Sequence, residues 1–372
     1  MPEQMDILVV AGARPNFMKI APILRAMASS KILCGRLIHT GQHHDDAMSG
    51  SFFRELDIPE PEENLGVGSA PREAQIAEIM RRFERVVEKI SPRAVLVVGD
   101  VNSTLACAQV AAKKKIPVIH VEAGLRSFDR AMPEEINRVL TDEISDFLFT
   151  TEREADENLV KEGIAPEKIH FVGNVMVDCL EHNLMRAVSV AGTFAAQNVK
   201  ISPSNFALLT LHRPSNVDDP ATLKGLLGAL HEIGEQMPVI FPVHPRTKES
   251  ITRFSLGHYF NDNRIFLIPP QTYLSMLGLM KEAKIVMTDS GGLQEETTAL
   301  GVPCFTLREN TERWVTVNEG TNTLVGTSPQ ALLSAFEKFM KGDTKKGARP
   351  ELWDGNASRR IISVLESELS EY

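Results

Sequence analysis

The chain has 372 residues, of which 43% are hydrophobic and 24% are charged. This length predicts two domains, each large enough for its own core, and the composition is typical of a globular protein. The 40 lysines and arginines are outnumbered by 49 aspartates and glutamates, giving a net charge of −9. We therefore predict no nucleic-acid partner, because this balance implies no basic face for a phosphate backbone.

In chain order, the first predicted element is a short apolar strand. The apolar run within Met1–Gly12 is too short for a signal peptide or a membrane span. The cysteines are widely spaced in apolar contexts, without a C-x-x-C pair, at Cys34, Cys107, Cys179 and Cys304. This pattern indicates buried, reduced thiols. We therefore expect a cytoplasmic protein without a membrane partner.

The first half of the chain alternates strands with helices. Strands are predicted at Ile7–Ala11, Leu37–Thr40, Ala94–Val98, Pro117–Val121, Phe147–Thr150 and Ile169–Val172, and helices at Phe17–Ser29 and Ser103–Lys115. Continuous β-branched runs such as Ala94–Val98 are typical of buried parallel strands. The order predicts a doubly wound parallel sheet.

The pattern restarts after residues 187–205, a small and polar stretch that we predict to be a linker region. Strands are then predicted at Phe206–Leu211, Val239–Val243, Ile265–Ile268, Ile285–Met287 and Cys304–Leu307, with helices between them. Two similar α/β halves predict a cleft between two Rossmann-like domains, with ligands at the carboxyl ends of the strands. A final helix, about Ala357–Leu369, has an apolar stripe that fits either half.

A glycine turn at Thr288–Glu296 is the most informative segment. It follows the apolar run Ala283–Met287 and opens a helix, so the amides near Gly291 and Gly292 face whatever lies beyond the helix start. Those amides and the helix dipole favour a phosphate. Glu296, about one turn on, would repel phosphate but suits a ribose diol. An ordinary Ser/Gly N-cap is the alternative, and we favour a nucleoside diphosphate site.

Polar and charged side chains follow the strands of both halves, where a structural role is least needed. In the first half they are Arg14, Lys19, Gln42, His43, Asp100, Glu122, Arg126, Glu134, Glu135 and Arg138, and in the second half His212, Arg213, His244, Arg246, Arg308, Glu312 and Arg313. Solvated loop ends are a poor explanation for so many charged residues at equivalent positions after the strands. In a cluster of acids such as Asp100, Glu122 and Glu134, one can act as an acid and another as a base.

Several other chemistries are disfavoured by the motifs. The metal-ligand types at His43, His44, Asp45 and Asp46 match no established spacing, so we expect no metal. The segment Gly12-Ala-Arg-Pro is not G-x-G-x-x-G, and the chain has no G-x-x-x-x-G-K-[ST] loop. This weakens ATPase and NAD interpretations, and we expect no cofactor. No Ser/His/Asp or Cys/His triad order can be argued.

Taken together, these motifs resemble the non-hydrolysing UDP-N-acetylglucosamine 2-epimerases over nearly the whole chain. The matching segments are Gly12-x-Arg14-Pro15-x-x-x-Lys19, Thr40-Gly41-Gln42-His43, Gly99-Asp100, His120-Val121-Glu122-Ala123-Gly124-Leu125-Arg126, Pro133-Glu134-Glu135-x-Asn137-Arg138, Gly173-Asn174, Leu211-His212-Arg213, His244-Pro245, Asp289-Ser290-Gly291-Gly292-x-Gln294-Glu295-Glu296, Thr311-Glu312-Arg313 and Asp354-Gly355-x-Ala357-Ser358. No single segment is decisive, but their number, order and spacing are highly specific.

The resemblance implies a glycosyltransferase-B-like pair of Rossmann-like domains. Residues 1–178 would carry the acidic catalytic residues, 179–356 would bind UDP, and 357–372 would cross back to the first domain. The resemblance also implies a homodimer that interconverts UDP-N-acetylglucosamine and UDP-N-acetylmannosamine for polysaccharide biosynthesis. The family's route is anti elimination of UDP to 2-acetamidoglucal, followed by syn re-addition.

Roles for single residues also come from the resemblance. Asp100, Glu122 and Glu134 would serve the sugar as base, acid or cation stabiliser, and His212 would lie near the leaving diphosphate. Phosphates would be held by Arg14, Lys19, Ser290, Gly292 and Arg313, the ribose by Glu296, and the uracil region by Gln271. Other expected substrate contacts are Gln42, His43, Arg126, Arg138, Arg213, His244, Tyr273 and Gly291.

Three departures from the family pattern bear on regulation and fit. Trp314 stands where many members have proline, and Leu274-Ser275-Met276 where several bacterial members have an aromatic. Many bacterial members bind a second substrate molecule as activator through an Arg-Gln pair and a His-Arg-Arg run. Here the corresponding places read Glu73-Ala74 and His212-Arg213-Pro214. We therefore predict weak or absent activation by substrate.

Three alternatives stay open at this point. A glycosyltransferase of the same fold would bind a UDP-sugar through a similar turn, but Glu122 and Glu134 count against it. A non-catalytic nucleotide-sugar sensor would not need a catalytic set. The joint presence of Asp100, Glu122, Glu134 and His212 therefore counts against it. A 2-epimerase of a modified UDP-sugar, such as a diacetamido-uronate, is harder to exclude.

Overall fold

The computed structural model describes residues 4–42 and 52–369. The chain forms two compact units. The first unit contains the residues up to His182 and those from Glu351 onward, and the second unit is Asn183–Pro350. The domain boundaries predicted from the sequence lie after residues 178 and 356.

The first unit contains a parallel sheet with seven strands in the described ranges, in the order β3-β2-β1-β4-β5-β6-β7. The strands are β1 Met5–Ala11, β2 Leu33–His39, β3 Glu63–Asn64, β4 Ala94–Val98, β5 Val118–Ala123, β6 Phe147–Thr150 and β7 Ile169–Phe171. The order reverses between the neighbours β1 and β4. In doubly wound sheets this switch point is where ligands bind, outside the carboxyl ends of the strands.

The second unit repeats this plan with six strands, in the order β10-β9-β8-β11-β12-β13. The strands are β8 Ala207–Thr210, β9 Val239–Pro242, β10 Ile265–Ile268, β11 Ile285–Thr288, β12 Cys304–Thr306 and β13 Asn322–Leu324. Its switch point lies between β8 and β11. The sequence-based prediction of two doubly wound parallel sheets is therefore confirmed.

Helices connect the parallel strands. In the first unit they are α1 Arg14–Met27, α2 Arg72–Ile90, α3 Asn102–Lys113, α4 Pro133–Glu143, α5 Arg153–Lys161 and α6 Val175–Asn183, the last of which ends on the first residue of the second unit. In the second unit they are α7 Val190–Ala196, α8 Pro214–Val217, α9 Pro220–Gln236, α10 Pro245–Arg253, α11 Tyr273–Glu282, α12 Gly291–Leu300, α13 Trp314–Asn318 and α14 Pro329–Met340. Short 3₁₀ turns occur at Pro166–Lys168, Leu184–Arg186 and Gly257–Phe260.

The terminal helix α15, Ala357–Glu368, packs in the first unit, as the family resemblance implied. Its N-terminus is capped by the buried carboxylate of Asp178, which accepts hydrogen bonds from the amides of Ala357 at 3.0 Å and Ser358 at 2.7 Å. A carboxylate at this position satisfies orphan N–H groups and complements the helix dipole. The indole of Trp353, just before the helix, donates to the carbonyl of Thr151.

Two sequence-based predictions need correction. The stretch 187–205 is not a plain linker, because it contains α7 and lies inside the second unit. Its small residues hid a short helix whose N-cap, Ser189, accepts a hydrogen bond from the amide of Gly192. Strand β5 also runs two residues further than predicted, to Ala123, with a register shift between Val121 and Ala123. Within residues 4–42 and 52–369, no helix is long and apolar enough to cross a membrane.

Candidate active site

The first unit brings a buried lysine and a buried glutamate into contact at its switch point. Lys19 lies on α1, after β1, and its Nζ is 2.5 Å from Oε2 of Glu122 on β5. A Cβ added to Gly99, after β4, would stand 2.9 Å from the same Nζ. Three strand ends therefore converge on one ion pair, and the absence of a side chain at Gly99 leaves room for it.

Glu122 has an unusual backbone conformation. Its φ is 71°, in the left-handed region that L-residues with a side chain rarely adopt. It occupies the position where the pairing of β5 with β6 loses register, as in a β-bulge. Such strain persists where the surrounding structure fixes it, and it concentrates at functional sites. Here the bulge aims the carboxylate at Lys19.

A second acid–cation cluster follows β4. Arg138 on α4 contacts both Asp100 and Glu135. Glu135 also accepts hydrogen bonds from the amides of Ser127 and Phe128. Asn137 donates to the backbone carbonyl of Asp100 at 2.8 Å. Asp100 is thus held by its side chain and by its backbone, both from helix α4.

Glu134 differs from Asp100 and Glu122, the other two predicted catalytic acids. It is half-buried in the first turn of α4. Within residues 4–42 and 52–369, no hydrogen bond or ion pair to its carboxylate is found. It is therefore the predicted acid whose charge is not offset by a described side chain.

The predicted substrate residues Gln42 and Arg126 are held by neighbouring protein groups. Oε1 of Gln42 accepts hydrogen bonds from the amide and hydroxyl of Ser103, at 3.2 and 2.7 Å. The buried guanidinium of Arg126 contacts Asp142 at 2.7 Å and Glu162 at 2.5 Å. The side chain of Arg14 and the whole of His43 lie outside the described structure.

In the second unit, a buried aspartate organises the turn after β8. The carboxylate of Asp289, at the end of β11, accepts hydrogen bonds from the amides of His212 and Arg213 and from the side chain of Asn216. Nδ1 of His212 lies 3.0 Å from Oδ1 of Asp289. Burial alone would raise the pKa of Asp289, but these partners, led by His212, hold it below its ordinary value.

The orientation of His212 follows from that contact. Its ring is held through Nδ1 by Asp289, while more than a third of the side chain remains exposed at 39%. The ring of His244, at the start of α10, lies with its centroid 5.7 Å away. A carboxylate on one imidazole nitrogen fixes the tautomer and leaves the other nitrogen for chemistry. Asp289 therefore orients His212 and leaves its Nε2 available to a ligand at this strand end.

The glycine turn begins α12 as predicted, with Ser290 as N-cap, and the helix ends at Gly301 in a left-handed C-cap. A Cβ on Gly291 would lie 3.0 Å from both Nη1 of Arg313 and Oε1 of Glu312. The guanidinium of Arg313 contacts Glu312, and its Nε is 3.2 Å from Glu295. A side chain at this position would therefore press on the guanidinium and on the Glu312 carboxylate, which would have to shift by a few tenths of an ångström.

Glu296 is buried one turn and a half into α12, where the hydroxyl of Tyr273 donates to its Oε1 at 2.9 Å. Burial raises the pKa of Glu296 to about 8, with a further increase from Glu295, although the Tyr273 hydrogen bond opposes both. Gln271, two residues before Tyr273, donates to the carbonyl of Pro269. Tyr273 and Glu296 were both predicted from the family resemblance, but their mutual hydrogen bond was not.

Metal binding has no support in the part of the chain that the structure describes. No group of three or more His, Cys, Asp or Glu side chains is arranged there to hold an ion. The candidate ligands His43, His44, Asp45 and Asp46 lie outside the described residues.

A family model described as UDP-N-acetylglucosamine 2-epimerase matches residues 25–366. The chain belongs to this family. Its members are isomerases. The match begins after Arg14 and Lys19, and it contains the other candidate site residues of both units. The resemblance drawn from the motifs is therefore confirmed.

Individual relatives agree over their full length. A UDP-N-acetylglucosamine 2-epimerase of Methanocaldococcus jannaschii is 43% identical over 97% of this chain and 99% of its own length. A UDP-2,3-diacetamido-2,3-dideoxy-D-glucuronate 2-epimerase of Pseudomonas aeruginosa is 40% identical over 97% and 99%. The crystal structure of an M. jannaschii UDP-GlcNAc 2-epimerase, in complex with UDP-GlcNAc and UDP, has a TM-score of 0.89, 42% identity and the same coverage, 97% and 99%.

One buried side chain of the first unit, His120, has no role among the predictions made from the sequence. His120 lies on β5 two residues before Glu122, and its ring contacts Asp142 and the carbonyl of Gly99. It appears in the matched motif, but sequence reasoning gave it no role. The alternation of a strand would have placed it on the same face as Glu122, which is the signal that was available.

Proposed function

We propose that this protein is a non-hydrolysing epimerase that inverts C2 of UDP-N-acetylglucosamine to give UDP-N-acetylmannosamine, reversibly. The observation that carries the proposal is the Glu122–Lys19 pair on a strained bulge at the switch point of the first sheet. It places a fixed carboxylate where a doubly wound sheet binds its ligand. The family membership supports the same reaction.

The chemistry explains why several carboxylates are needed. The C2 proton has no adjacent carbonyl to acidify it, so a base alone cannot remove it. Breaking the C1–O bond to UDP builds positive charge on the sugar and makes the C2–H acidic. In the anti elimination, C2–H and C1–O break on opposite faces, giving 2-acetamidoglucal and UDP. In the syn re-addition, the proton and UDP return on one face, so the two protons are handled from different sides.

The ion pairs divide the three acids into two kinds. A cation within contact distance favours the ionised form of a carboxylate. Lys19 contacts Glu122 and Arg138 contacts Asp100, so we assign these two acids to roles that require a negative charge. These roles are removal of the C2 proton and stabilisation of the sugar cation. Glu134, which has no such partner among the described residues, is assigned to proton delivery on the other face.

The second unit would hold the leaving group. We assign the amides at Ser290–Gly292 and the guanidinium of Arg313 to the diphosphate, because a helix start with an adjacent cation stabilises the charge that develops as UDP departs. His212, oriented by Asp289, would act on the same phosphates. Glu296 with Tyr273 would accept the ribose hydroxyls, and Gln271 would lie by the uracil. Gln42, Arg213 and His244 stay proposed substrate contacts.

A second candidate substrate is supported by the P. aeruginosa relative, which is named for a diacetamido-glucuronate and is almost as similar as the M. jannaschii relative. The elimination chemistry would be the same, because C1, C2 and UDP are common to both substrates. Only groups that face C3 and C6 would differ.

Both candidates are tested in one assay. The protein is incubated with each UDP-sugar in heavy water, and the sugar is followed by NMR. Deuterium at C2 together with a manno product establishes epimerisation, and the faster of the two substrates identifies the sugar. Free N-acetylmannosamine with released UDP would instead indicate a hydrolysing enzyme. No change in either sugar would exclude both epimerase proposals and favour a transferase or a sensor.

We also propose a cytoplasmic homodimer. The dimer is implied by the family resemblance, and light scattering coupled to size-exclusion chromatography tests it by giving the mass of one or two chains. The cytoplasmic location is supported by cysteines that are all free thiols, which is typical of a reducing compartment.

A further inference from the structure

Behind the proposed catalytic turns of the first unit lies a cluster of ionisable groups, which we term the His120 network. It consists of His120, Arg126, Asp142 and Glu162. We propose that this network is a positioning device that fixes Asp100 and Glu122 relative to one another, and that His120 works in it as an imidazolium. The inference rests on the proposed function, since it assigns the network to the same reaction.

Two oxygen atoms face the two ring nitrogens of His120. The ring is fully buried, with Nδ1 2.6 Å from Oδ1 of Asp142 and Nε2 2.9 Å from the carbonyl oxygen of Gly99. Both neighbours are acceptors. A neutral imidazole carries one N–H and would leave its other nitrogen facing an oxygen, whereas an imidazolium donates to both.

The surrounding charges balance this imidazolium. Oδ2 of Asp142 is 2.7 Å from the guanidinium of Arg126, which also contacts Glu162 at 2.5 Å. Two cations therefore face two carboxylates. Burial would raise the pKa of Asp142, but His120 and Arg126 together hold it below its ordinary value. Buried charges persist when they are paired and hydrogen-bonded in this way.

The network reaches the two turns that carry the proposed catalytic acids. The carbonyl that His120 binds belongs to Gly99, the residue before Asp100. Oδ2 of Asp142 also accepts the amide of Gly124 at 3.1 Å, two residues after Glu122. Asp142 thus contacts the chain on both sides of the strained residue Glu122, through the ring of His120 before it and the amide of Gly124 after it.

A positioning role predicts a specific kinetic pattern. Misplacing a reacting group by about 1 Å can cost on the order of 10²-fold in rate. The variant Asp142→Asn keeps the shape of the side chain but removes the charge that balances His120. We expect kcat to fall about 100-fold, while KM for the UDP-sugar and the Kd for UDP stay close to wild type.

The matched control is Asp178→Asn, which neutralises another buried carboxylate of the same unit. Asp178 caps α15 and is not among the contacts of either catalytic turn. Both variants lose stability, but only Asp142→Asn should lose kcat when both are assayed well below their melting temperatures. Equal losses of kcat in the two variants, or an unchanged kcat in Asp142→Asn, would overturn the positioning role.

The protonation of His120 is read without substrate. In wild-type protein labelled with ¹⁵N-histidine, we expect a ring with both nitrogens protonated under the conditions of the activity assay, and this signal should be missing in His120→Gln. A neutral ring for His120 under these conditions would contradict the network. If the wild type converts neither UDP-sugar, the proposed function fails, but this NMR result still decides the charge state on which the network depends.

Discussion

The two sheets share one strand order, yet the turns at their carboxyl ends differ in chemistry. In the first unit, acids stand at the strand ends with a cation behind them, as in Glu122 with Lys19 and Asp100 with Arg138. In the second unit, the corresponding turn after β11 offers helix amides and Arg313, with carboxylates behind the guanidinium. In the proposed function, one scaffold would therefore serve proton transfer in the first unit and anion binding in the second, through different turn residues.

The largest effect is expected from Glu122→Gln, which neutralises one proposed catalytic acid of the first unit and leaves the second unit unchanged. Loss of a positioned acid or base lowers kcat by about 10²- to 10⁴-fold. We expect a loss in that range with UDP affinity close to wild type, measured by NMR turnover and by calorimetry.

The control for this variant is Glu351→Gln, which neutralises an exposed partner of Arg153 in the same unit. It should retain wild-type turnover. A Glu122→Gln protein that bound UDP much more weakly would contradict the separation of roles between the units.

Gly291→Ala tests the second unit alone. The added methyl would lie 3.0 Å from Nη1 of Arg313, so the guanidinium must shift by a few tenths of an ångström at the helix start. We expect UDP to bind about tenfold more weakly, which corresponds to ~1.4 kcal/mol. Gly257→Ala is the matched control, because a Cβ there meets nothing within 4 Å. Equal UDP affinity in both variants would remove Arg313 from the diphosphate site.

Glu296 gives the second unit a pH dependence of stability. Its pKa is raised from 4.5 to about 8 in the folded protein, chiefly by burial. Between these values the unfolded chain releases the proton and the folded chain keeps it. Stability is therefore fully present below pH 4.5 and falls as pH rises toward 8, by at most about 1.4 kcal/mol per pH unit.

The variant Glu296→Gln isolates this effect, because it is neutral at every pH. Urea unfolding at pH 5, 6, 7 and 8 should show the wild type losing stability relative to the variant as pH rises. Parallel curves for the two proteins would mean that Glu296 is already ionised in the folded state.

The smallest expected effect concerns activation by substrate. Glu73-Ala74 and Pro214 stand where activated members have an Arg-Gln pair and a third basic position. We therefore predict a hyperbolic rate curve and a reverse reaction that needs no added UDP-N-acetylglucosamine. Sigmoidal kinetics, or a reverse reaction that depends on that addition, would contradict the prediction.

Much of the fold followed from the sequence, because buried parallel strands are continuous apolar runs. Ala94–Val98 and Phe147–Thr150 were predicted with the bounds that the structure shows. The stretch 187–205 was misread as a linker, because small and polar residues gave no helical period for α7. Short strands such as Glu63–Asn64 carry no apolar run of their own.

The candidate site was only partly predictable. Strand-end positions identified Asp100, Glu122 and His212, but the pairing of each depends on contacts across the chain. The Lys19–Glu122 contact joins residues far apart in sequence, and the bulge at Glu122 has no local signal such as glycine. The same holds for Tyr273, whose hydrogen bond to Glu296 is a tertiary contact.

In the proposed reaction UDP leaves the sugar and is taken back, and positional isotope exchange detects this departure directly. UDP-N-acetylglucosamine is prepared with ¹⁸O in the bridge between C1 and the β-phosphorus. If the C1–O bond breaks, rotation of the bound phosphate moves the label to non-bridging positions, which ³¹P NMR of the recovered substrate detects. We predict scrambling at a rate comparable to epimerisation. Epimerisation with the label kept in the bridge would contradict the departure of UDP from the sugar.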